Sequence, residues 1–212
     1  MSKLQEVQQN VEGGKTKLIA DVVQEALNAG DNAKDILQAM IDGMGVIGDK
    51  FSTGAVFVPE MLIAAKAMAK GVEVLQPHLA GDGAGPALGT CVIGTVKGDL
   101  HDIGKNLVAM MVESAGFKVI DLGVDVPAEK FIEAAKANDN VKVIALSGLL
   151  TTTMPAMSET VKTIKESDLS NLPVMVGGAP VTEEFATQIG ADGYAPDAGS
   201  AAATAKKLAQ AA

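Results

Sequence analysis

The spacing of apolar residues changes once along this chain, near residue 80, and this change limits the possible folds more than any other feature. Before it, apolar residues recur three and four positions apart, which is the spacing of amphipathic helices. After it, short apolar runs alternate with helical stretches. The chain therefore combines an all-helical part with a part in which strands and helices alternate.

Residues 1–80 show no strand pattern and predict about four helices packed as a small antiparallel bundle. A start signal at Asp31 and Asn32 precedes a long apolar stripe, and Pro59 suits the first turn of the last helix. The helical pattern of the opening segment, around Leu4, Val7 and Val11, is weaker. Residues 81–88 are rich in glycine and superficially resemble a nucleotide-binding loop, but they follow a helix and open no new one, so we interpret them as a linker.

Residues 89–212 predict a doubly wound α/β domain of the Rossmann or flavodoxin-like type, with a five-stranded parallel sheet. In strand order 2-1-3-4-5, ligands bind beyond the carboxyl ends of strands 1 and 3. The strand candidates, in chain order, are residues 90–95, 118–120, 141–146, 173–176 and 193–195.

Composition excludes several kinds of partner. The chain carries 17 basic and 26 acidic residues, a net charge of −9, and only 3% aromatic residues, so neither nucleic acid nor an anionic bilayer is expected to bind it. No window reaches the ~20 apolar residues that span a membrane, and the N-terminus lacks a signal-peptide pattern. The single cysteine, Cys91, lies in an apolar run and fits a reducing compartment. We expect a cytoplasmic protein.

The segment after strand 1 carries one of only two histidines, His101. Asp99, two residues earlier, can accept a hydrogen bond from one ring nitrogen and leave the other free as a base or a metal ligand. A loop histidine satisfied by a nearby carboxylate is the plainer alternative. Spacing alone leaves both interpretations open.

The segments after strands 3 and 4 are built from small residues. Ser147 is followed by a glycine, two leucines and the hydroxyl run 151–153, and Gly177 and Gly178 follow strand 4. No aspartate stands at the end of strand 3, which disfavours a phosphoryl acceptor. Taken singly, a hydroxyl cluster is often a helix cap and a glycine pair is often a turn. Together, these loops predict a long slot at one edge of the sheet.

These elements, in this order on these strand ends, resemble the signature of corrinoid proteins that bind cobalamin base-off/His-on. The helical part is similar to the cap domain of methionine synthase and of the corrinoid proteins of anaerobic methyltransferase systems. The resemblance covers nearly the whole chain. Its motifs are Asp99-x-His101-x-x-Gly104, Ser147-x-Leu149, Gly177-Gly178 and, opening the last helix of the cap, Phe57-Val58-Pro59-Glu60-Met61.

The resemblance implies a role for each matched residue. His101 would be the lower axial ligand of cobalt, displacing the cofactor's own base, with Asp99 bonded to its distal nitrogen and Ser147 extending the relay. Asp102 and Ile103 would flank the cofactor, and Gly104 would let the backbone pass close to the corrin. The displaced nucleotide tail would lie between two loops. One carries Ser147, Leu149 and Thr151, and the other carries Gly177 and Gly178.

For the cap, the resemblance implies that Phe57 and Met61 cover the upper face of the corrin, although both could equally be bundle core. The linker glycines would then supply a hinge that lets the cap move aside.

The function implied by the resemblance is that of a methyl carrier with a cobalamin or related corrinoid. Co(I) would take a methyl group from a substrate:corrinoid methyltransferase, and methyl-Co(III) would pass it to a second methyltransferase that uses tetrahydrofolate or a thiol. A reductive activator would rescue oxidised cobalt, and the chain would not be catalytic alone. Two alternatives remain open: a cobalamin-dependent sensor or regulator, and the small subunit of an adenosylcobalamin mutase.

Overall fold

The computed structural model describes residues 2–79 and 88–211, which fall into two compact units, Met1–Gly85 and Pro86–Ala212. The linker predicted at residues 81–88, including its glycines, lies outside the described residues except for Leu88.

The N-terminal unit is helical, as the apolar spacing predicts. Its first helix begins with a capping box, in which Ser2 and Gln5 satisfy each other's backbone N–H groups. Asn32 caps the third helix by accepting a hydrogen bond from the Lys34 N–H. The helices are α1 (Lys3–Glu12), α2 (Ile19–Asn28), α3 (Ala33–Ser52) and α4 (Val58–Leu79).

Packing in this unit relies on small residues where helices approach closely. A Cβ added at Gly71 of α4 would lie 2.4 Å from the Met40 side chain of α3, and one added at Gly43 would lie 2.7 Å from the Gln8 carbonyl oxygen of α1. Many apolar positions that the helical spacing selects are fully buried, among them Val7, Val11, Ile36, Met40 and Leu75, whereas Leu18 and Leu62 are 53% and 45% exposed. The helical bundle predicted from the sequence is confirmed.

The C-terminal unit alternates strands and helices throughout. Its strands are β1 (Thr90–Thr95), β2 (Lys118–Asp121), β3 (Val141–Ser147), β4 (Val174–Gly177) and β5 (Gly193–Ala195). Its helices are α5 (Ile103–Ser114), α6 (Ala128–Ala137), α7 (Met154–Glu166), α8 (Glu183–Gln188) and α9 (Ala198–Ala211), with a 3₁₀ turn at Thr151–Thr153 before α7.

All described strands pair in parallel in the order β2-β1-β3-β4-β5, which confirms the predicted topology. The register aligns the carboxyl ends of four strands, because Thr95 pairs with Ser147, Ser147 with Gly177, and Gly177 with Ala195. The loops that follow these strands therefore leave the sheet at the same level. Order reverses between β1 and β3, so this row of strand ends is the ligand-binding edge expected of the fold.

Successive strand residues face opposite sides of the sheet and form two separate cores. Val92 and Ile144 point to the side covered by α6 and α7, where Phe131 is fully buried. Ile93 and Val143 point to the other side, which α5 and α9 cover. Both faces are closed, as a parallel sheet requires. Within the described part of the chain, no helix is long and apolar enough to cross a membrane.

Cys91 lies in the second core with no exposed surface, and burial raises the pKa of its thiol to about 12. Because the thiolate is the reactive form, we expect Cys91 to resist a thiol reagent such as dithionitrobenzoate in the native protein and to react once guanidinium unfolds the chain. Reaction of the native protein at the rate of a free thiol would contradict this placement.

Candidate functional site

A buried carboxylate joins the loops after β1 and β3. Asp99 has no exposed surface, and all its side-chain hydrogen bonds are accepted from these two loops. Its Oδ1 accepts from His101 Nδ1 at 2.7 Å and from the His101 backbone N–H at 3.1 Å. Its Oδ2 accepts from the backbone N–H groups of Leu149 and Leu150, at 2.6 and 3.1 Å, and from the hydroxyl of Thr153 at 3.0 Å.

Two opposing effects set the ionisation of Asp99. Burial raises its pKa, but the hydrogen bond from the His101 ring and those from the backbone N–H groups of Leu149, His101 and Leu150 outweigh burial. The pKa of the carboxyl therefore lies well below its usual range. Asp99 is an anion at neutral pH, held in a fixed orientation by its donors.

This anion fixes the orientation of the imidazole of His101. An ionised carboxylate only accepts hydrogen bonds, so Nδ1 of His101 carries the proton and Nε2 carries the lone pair. The side chain is 51% exposed, and the Thr95 hydroxyl donates to the His101 carbonyl oxygen at 2.9 Å, which anchors its backbone. The imidazole is therefore held in place through Nδ1, and its Nε2 makes no hydrogen bond within the described part of the chain.

The hydroxyl that reaches Asp99 belongs to Thr153, not to Ser147 as the resemblance implied. In the described part of the chain, the Ser147 side chain makes no hydrogen bond to the carboxylate, whereas Thr153 is nearly buried and donates to it. The cause is the 3₁₀ turn at Thr151–Thr153, which brings the third threonine back over the end of β1. Leu149 and Leu150 donate to Asp99 through their backbone N–H groups, so their residue type could not indicate these hydrogen bonds.

Exposed apolar side chains lie in the segments after β1 and β3 that meet at Asp99, and this group is called the apolar rim. They are Leu100 at 71% exposed, Ile103 at 79%, Leu149 at 45% and Leu150 at 39%. Every large exposed hydrophobic residue among the described residues 88–211 belongs to this group. Ile103 and Leu149 were predicted from the resemblance, whereas Leu100 and Leu150 were not, because an exposed apolar residue cannot be told by its type from a core residue.

The predicted glycines differ in what surrounds them. A Cβ at Gly104, in the first turn of α5, meets no protein atom within 4 Å. A Cβ at Gly178, where φ is +134°, would lie 1.8 Å from the Gly148 carbonyl oxygen, and one at Gly177 would lie 2.8 Å from the Ala195 carbonyl oxygen. The glycine pair thus lets the end of β4 and the residue after it pack directly against Ala195 and Gly148. This contact within the protein explains the absence of side chains at 177 and 178 without a ligand.

The remaining predicted residues are dispersed. Asp102 and Thr151 are exposed at the same edge, and Asp102 accepts a hydrogen bond from the Asn106 amide at 3.2 Å. In the helical unit, Phe57 is 68% exposed, whereas Met61 has no exposed surface. Leu62 and Ile63, beside Met61, are 45% and 50% exposed, so they rather than Met61 accompany Phe57 at the surface.

The donor set fits a metal that brings most of its own ligands. No group of three or more histidine, cysteine, aspartate or glutamate side chains that could hold a metal occurs among residues 2–79 and 88–211. One oriented imidazole nitrogen within an apolar rim instead suits the cobalt of a corrinoid, whose macrocycle supplies the equatorial nitrogens and a broad apolar periphery. The open space over Gly104 is compatible with such a flat group.

We expect Gly178→Ala to lower the free energy of unfolding by about 3 kcal/mol or more, because the added methyl group meets backbone in a strained conformation. Gly104→Ala is the matched control, and it should leave stability unchanged or slightly higher. Urea unfolding of both variants measures the difference. Equal stabilities would contradict the close approach of the two loops.

Acid should destabilise the C-terminal unit through Asp99. Because the pKa of this carboxyl is lower in the folded protein than in the unfolded chain, its contribution to stability is present above about pH 4 and is lost as the pH falls further. In Asp99→Asn the amide cannot accept all these hydrogen bonds, so we expect a loss of about 2 kcal/mol at neutral pH and a flatter acid dependence. Urea unfolding at several pH values tests this; parallel pH profiles would argue against it.

Comparisons with known proteins agree with this geometry. Two family models match the chain, each described as a B12 binding domain, over residues 89–203 and 4–76. Dimethylamine corrinoid protein 2 of Methanosarcina mazei is 41% identical over 206 residues, which is 97% of this chain and 96% of the relative.

Two solved structures cover the same span. A cobalamin-binding protein from Desulfitobacterium hafniense matches with a TM-score of 0.81 and 32% identity, over 98% of this chain and 97% of that one. A chain of the methanol:cobalamin methyltransferase complex MtaBC from Methanosarcina barkeri matches with a TM-score of 0.79 and 31% identity, over 97% of this chain and 79% of that one. The chain belongs to the family of B12-binding corrinoid proteins, with a helical domain followed by a Rossmann-like B12 binding domain.

Proposed function

We propose that this protein is a methyl carrier that holds its corrinoid base-off, with His101 as the lower axial ligand of cobalt. One observation carries the proposal: a buried, ionised Asp99 fixes the imidazole so that its free Nε2 emerges among exposed apolar side chains. When bound, the corrinoid supplies a cobalt centre that can accept a methyl group and give it up again.

The chain's own residues then set how strongly the axial nitrogen donates. Asp99 accepts a hydrogen bond from the Nδ1–H group of His101, which keeps the ring from rotating and leaves Nε2 to face the cofactor. The hydroxyl of Thr153 and the backbone N–H of Leu149 donate hydrogen bonds to the other carboxylate oxygen. Asp99 therefore stays in place when the bond between His101 and cobalt forms or breaks. We propose Thr153 as the third member of this relay in place of Ser147.

The cofactor-binding surface is proposed to extend from the apolar rim to the neighbouring loops. Leu100, Ile103 and Gly104 form one side of the rim, and the corrin would lie against them. The displaced nucleotide tail is proposed to follow the loops that carry Ser147, Thr151 and the glycine pair at 177 and 178. Because Gly178 already lies against Gly148, a tail running between those two loops requires them to separate.

The partners are proposed from the relatives' systems. A dimethylamine corrinoid protein is 41% identical to this chain, and a structural match comes from a methanol:cobalamin methyltransferase complex. We propose that a cognate substrate:corrinoid methyltransferase methylates this carrier from a small amine or alcohol. A second methyltransferase, with tetrahydrofolate or a thiol as acceptor, would remove the methyl group, and a reductive activator would restore the reduced cofactor.

The axial ligand can be identified directly by electron paramagnetic resonance. The protein is loaded with hydroxocobalamin and reduced to the Co(II) state, in which nitrogen bound to cobalt splits the signal. We expect the splitting pattern to change when the protein is made with histidine enriched in the heavy nitrogen isotope, because the axial nitrogen belongs to His101. His101→Ala should retain cofactor through its tail and lose this isotope effect.

His78→Ala is the matched control, since His78 is the other histidine of the chain and lies in the last turn of α4. It should keep both the cofactor and the isotope effect. A splitting that is insensitive to labelled histidine in the wild-type protein would show that the cofactor keeps its own base, and the base-off assignment would be abandoned. Failure of the loaded protein, reduced further to Co(I), to take a methyl group from methyl iodide with release of iodide would overturn the carrier role.

A further inference from the structure

The loop between β2 and α6, residues 122–127, lies against the segment that carries His101. Its Asp125 makes two contacts there: its carboxylate Oδ1 accepts a hydrogen bond from the Gly98 N–H at 2.7 Å, and its own N–H donates to the Asp99 carbonyl oxygen at 3.0 Å. Asp125 thus hydrogen-bonds to Gly98 and Asp99, which directly precede Leu100 and His101.

Asp125 adopts a left-handed backbone conformation, with φ at +55°, which is uncommon and mildly strained for residues other than glycine, and least so for aspartate and asparagine. It is exposed to solvent, so burial of its side chain does not compensate for the strain. Elsewhere in the described chain, only Asn140 among non-glycine residues has a positive φ, at +53°, in the turn before β3. Strain that persists at a solvent-exposed residue points to the contacts that the residue makes.

A second carboxylate from the same side holds the other end of the segment. Asp121, the last residue of β2, accepts a hydrogen bond from the ammonium group of Lys105, whose side chain is 2% exposed. Lys105 follows His101 by four residues and lies in the first turn of α5. Asp121 also accepts from the Gly123 N–H at 2.9 Å, which ties this ion pair to the loop.

We propose that Asp121 and Asp125 form a clamp that positions the axial histidine by fixing both ends of residues 98–105. Asp99 sets the orientation of the ring, and the clamp sets the position of the backbone from which the ring projects. This inference rests on the proposed function, because a fixed backbone matters most if the bond between His101 and cobalt must form and break at one place. Asp125 acts through Gly98 and Asp99 and is therefore a positioning residue.

Two substitutions at Asp125 separate the effect of its carboxylate from the effect of its positive φ. Asp125→Gly accepts the positive φ but loses the carboxylate, whereas Asp125→Asn keeps an oxygen acceptor and tolerates the same conformation. Asn140→Gly is the matched control, because it relieves the other strained residue away from the site. All three variants should fold, since none adds bulk or strain.

The first readout needs no cofactor. Hydrogen exchange of the His101 amide, which donates to Asp99 Oδ1, is followed by nuclear magnetic resonance together with the Nδ1 proton of the ring. We expect exchange to be about tenfold faster in Asp125→Gly, because one hydrogen bond of the clamp is lost, and within about twofold of wild type in Asp125→Asn and Asn140→Gly. Exchange of amides in the core of β3 should be unchanged in all three.

The second readout uses the loaded, Co(II) form. We expect Asp125→Gly to broaden or weaken the nitrogen splitting from His101, and Asp125→Asn to restore it. Wild-type exchange and splitting in Asp125→Gly would overturn the clamp, and so would an equal acceleration of exchange at His101 and in β3, which would indicate general destabilisation. If wild-type splitting does not respond to labelled histidine, the proposed function fails, while the exchange measurement still decides whether Asp125 positions His101.

Discussion

The hydrogen bonding of Asp99 is the interaction on which the rest of this site depends. A buried carboxylate is costly unless donors surround it, and here the donors come from both loops that flank the point where strand order reverses. Satisfying this one anion therefore fixes the loop after β1, the loop after β3 and the 3₁₀ turn before α7 in a single arrangement. The orientation of His101 is a consequence of that arrangement.

Around this anion, the usual distribution of residues is reversed. The charged group is buried, while Leu100, Ile103, Leu149 and Leu150 are exposed. Such an exposed apolar rim is typical of a surface that a ligand covers, and among the described residues no group of three or more metal-ligating side chains accompanies it. The sheet makes this possible because its strand ends are level, so loops from β1, β3 and β4 reach the same edge.

Local patterns were enough to predict most of the architecture and part of the site. Alternation of short apolar runs with helical stretches predicted the strands within a residue or two, and the same alternation predicted a parallel, doubly wound sheet. The pair Asp99 and His101 could be predicted because only one residue separates them and local geometry brings their side chains together. The hydroxyl that donates to Asp99 is that of Thr153 rather than Ser147, because the 3₁₀ turn at Thr151–Thr153 decides which hydroxyl returns to the end of β1.

By itself, the sequence determined the two-part organisation, the parallel sheet, its binding edge and the histidine with its carboxylate, since these depend on periodicity and short spacing. Only the tertiary structure decided that Thr153 completes the carboxylate's shell, that backbone N–H groups of Leu149 and Leu150 contribute, and that Gly178 is small because it touches Gly148. The physical reason is that these contacts join residues distant along the chain through loop conformation and backbone atoms, which residue type does not encode.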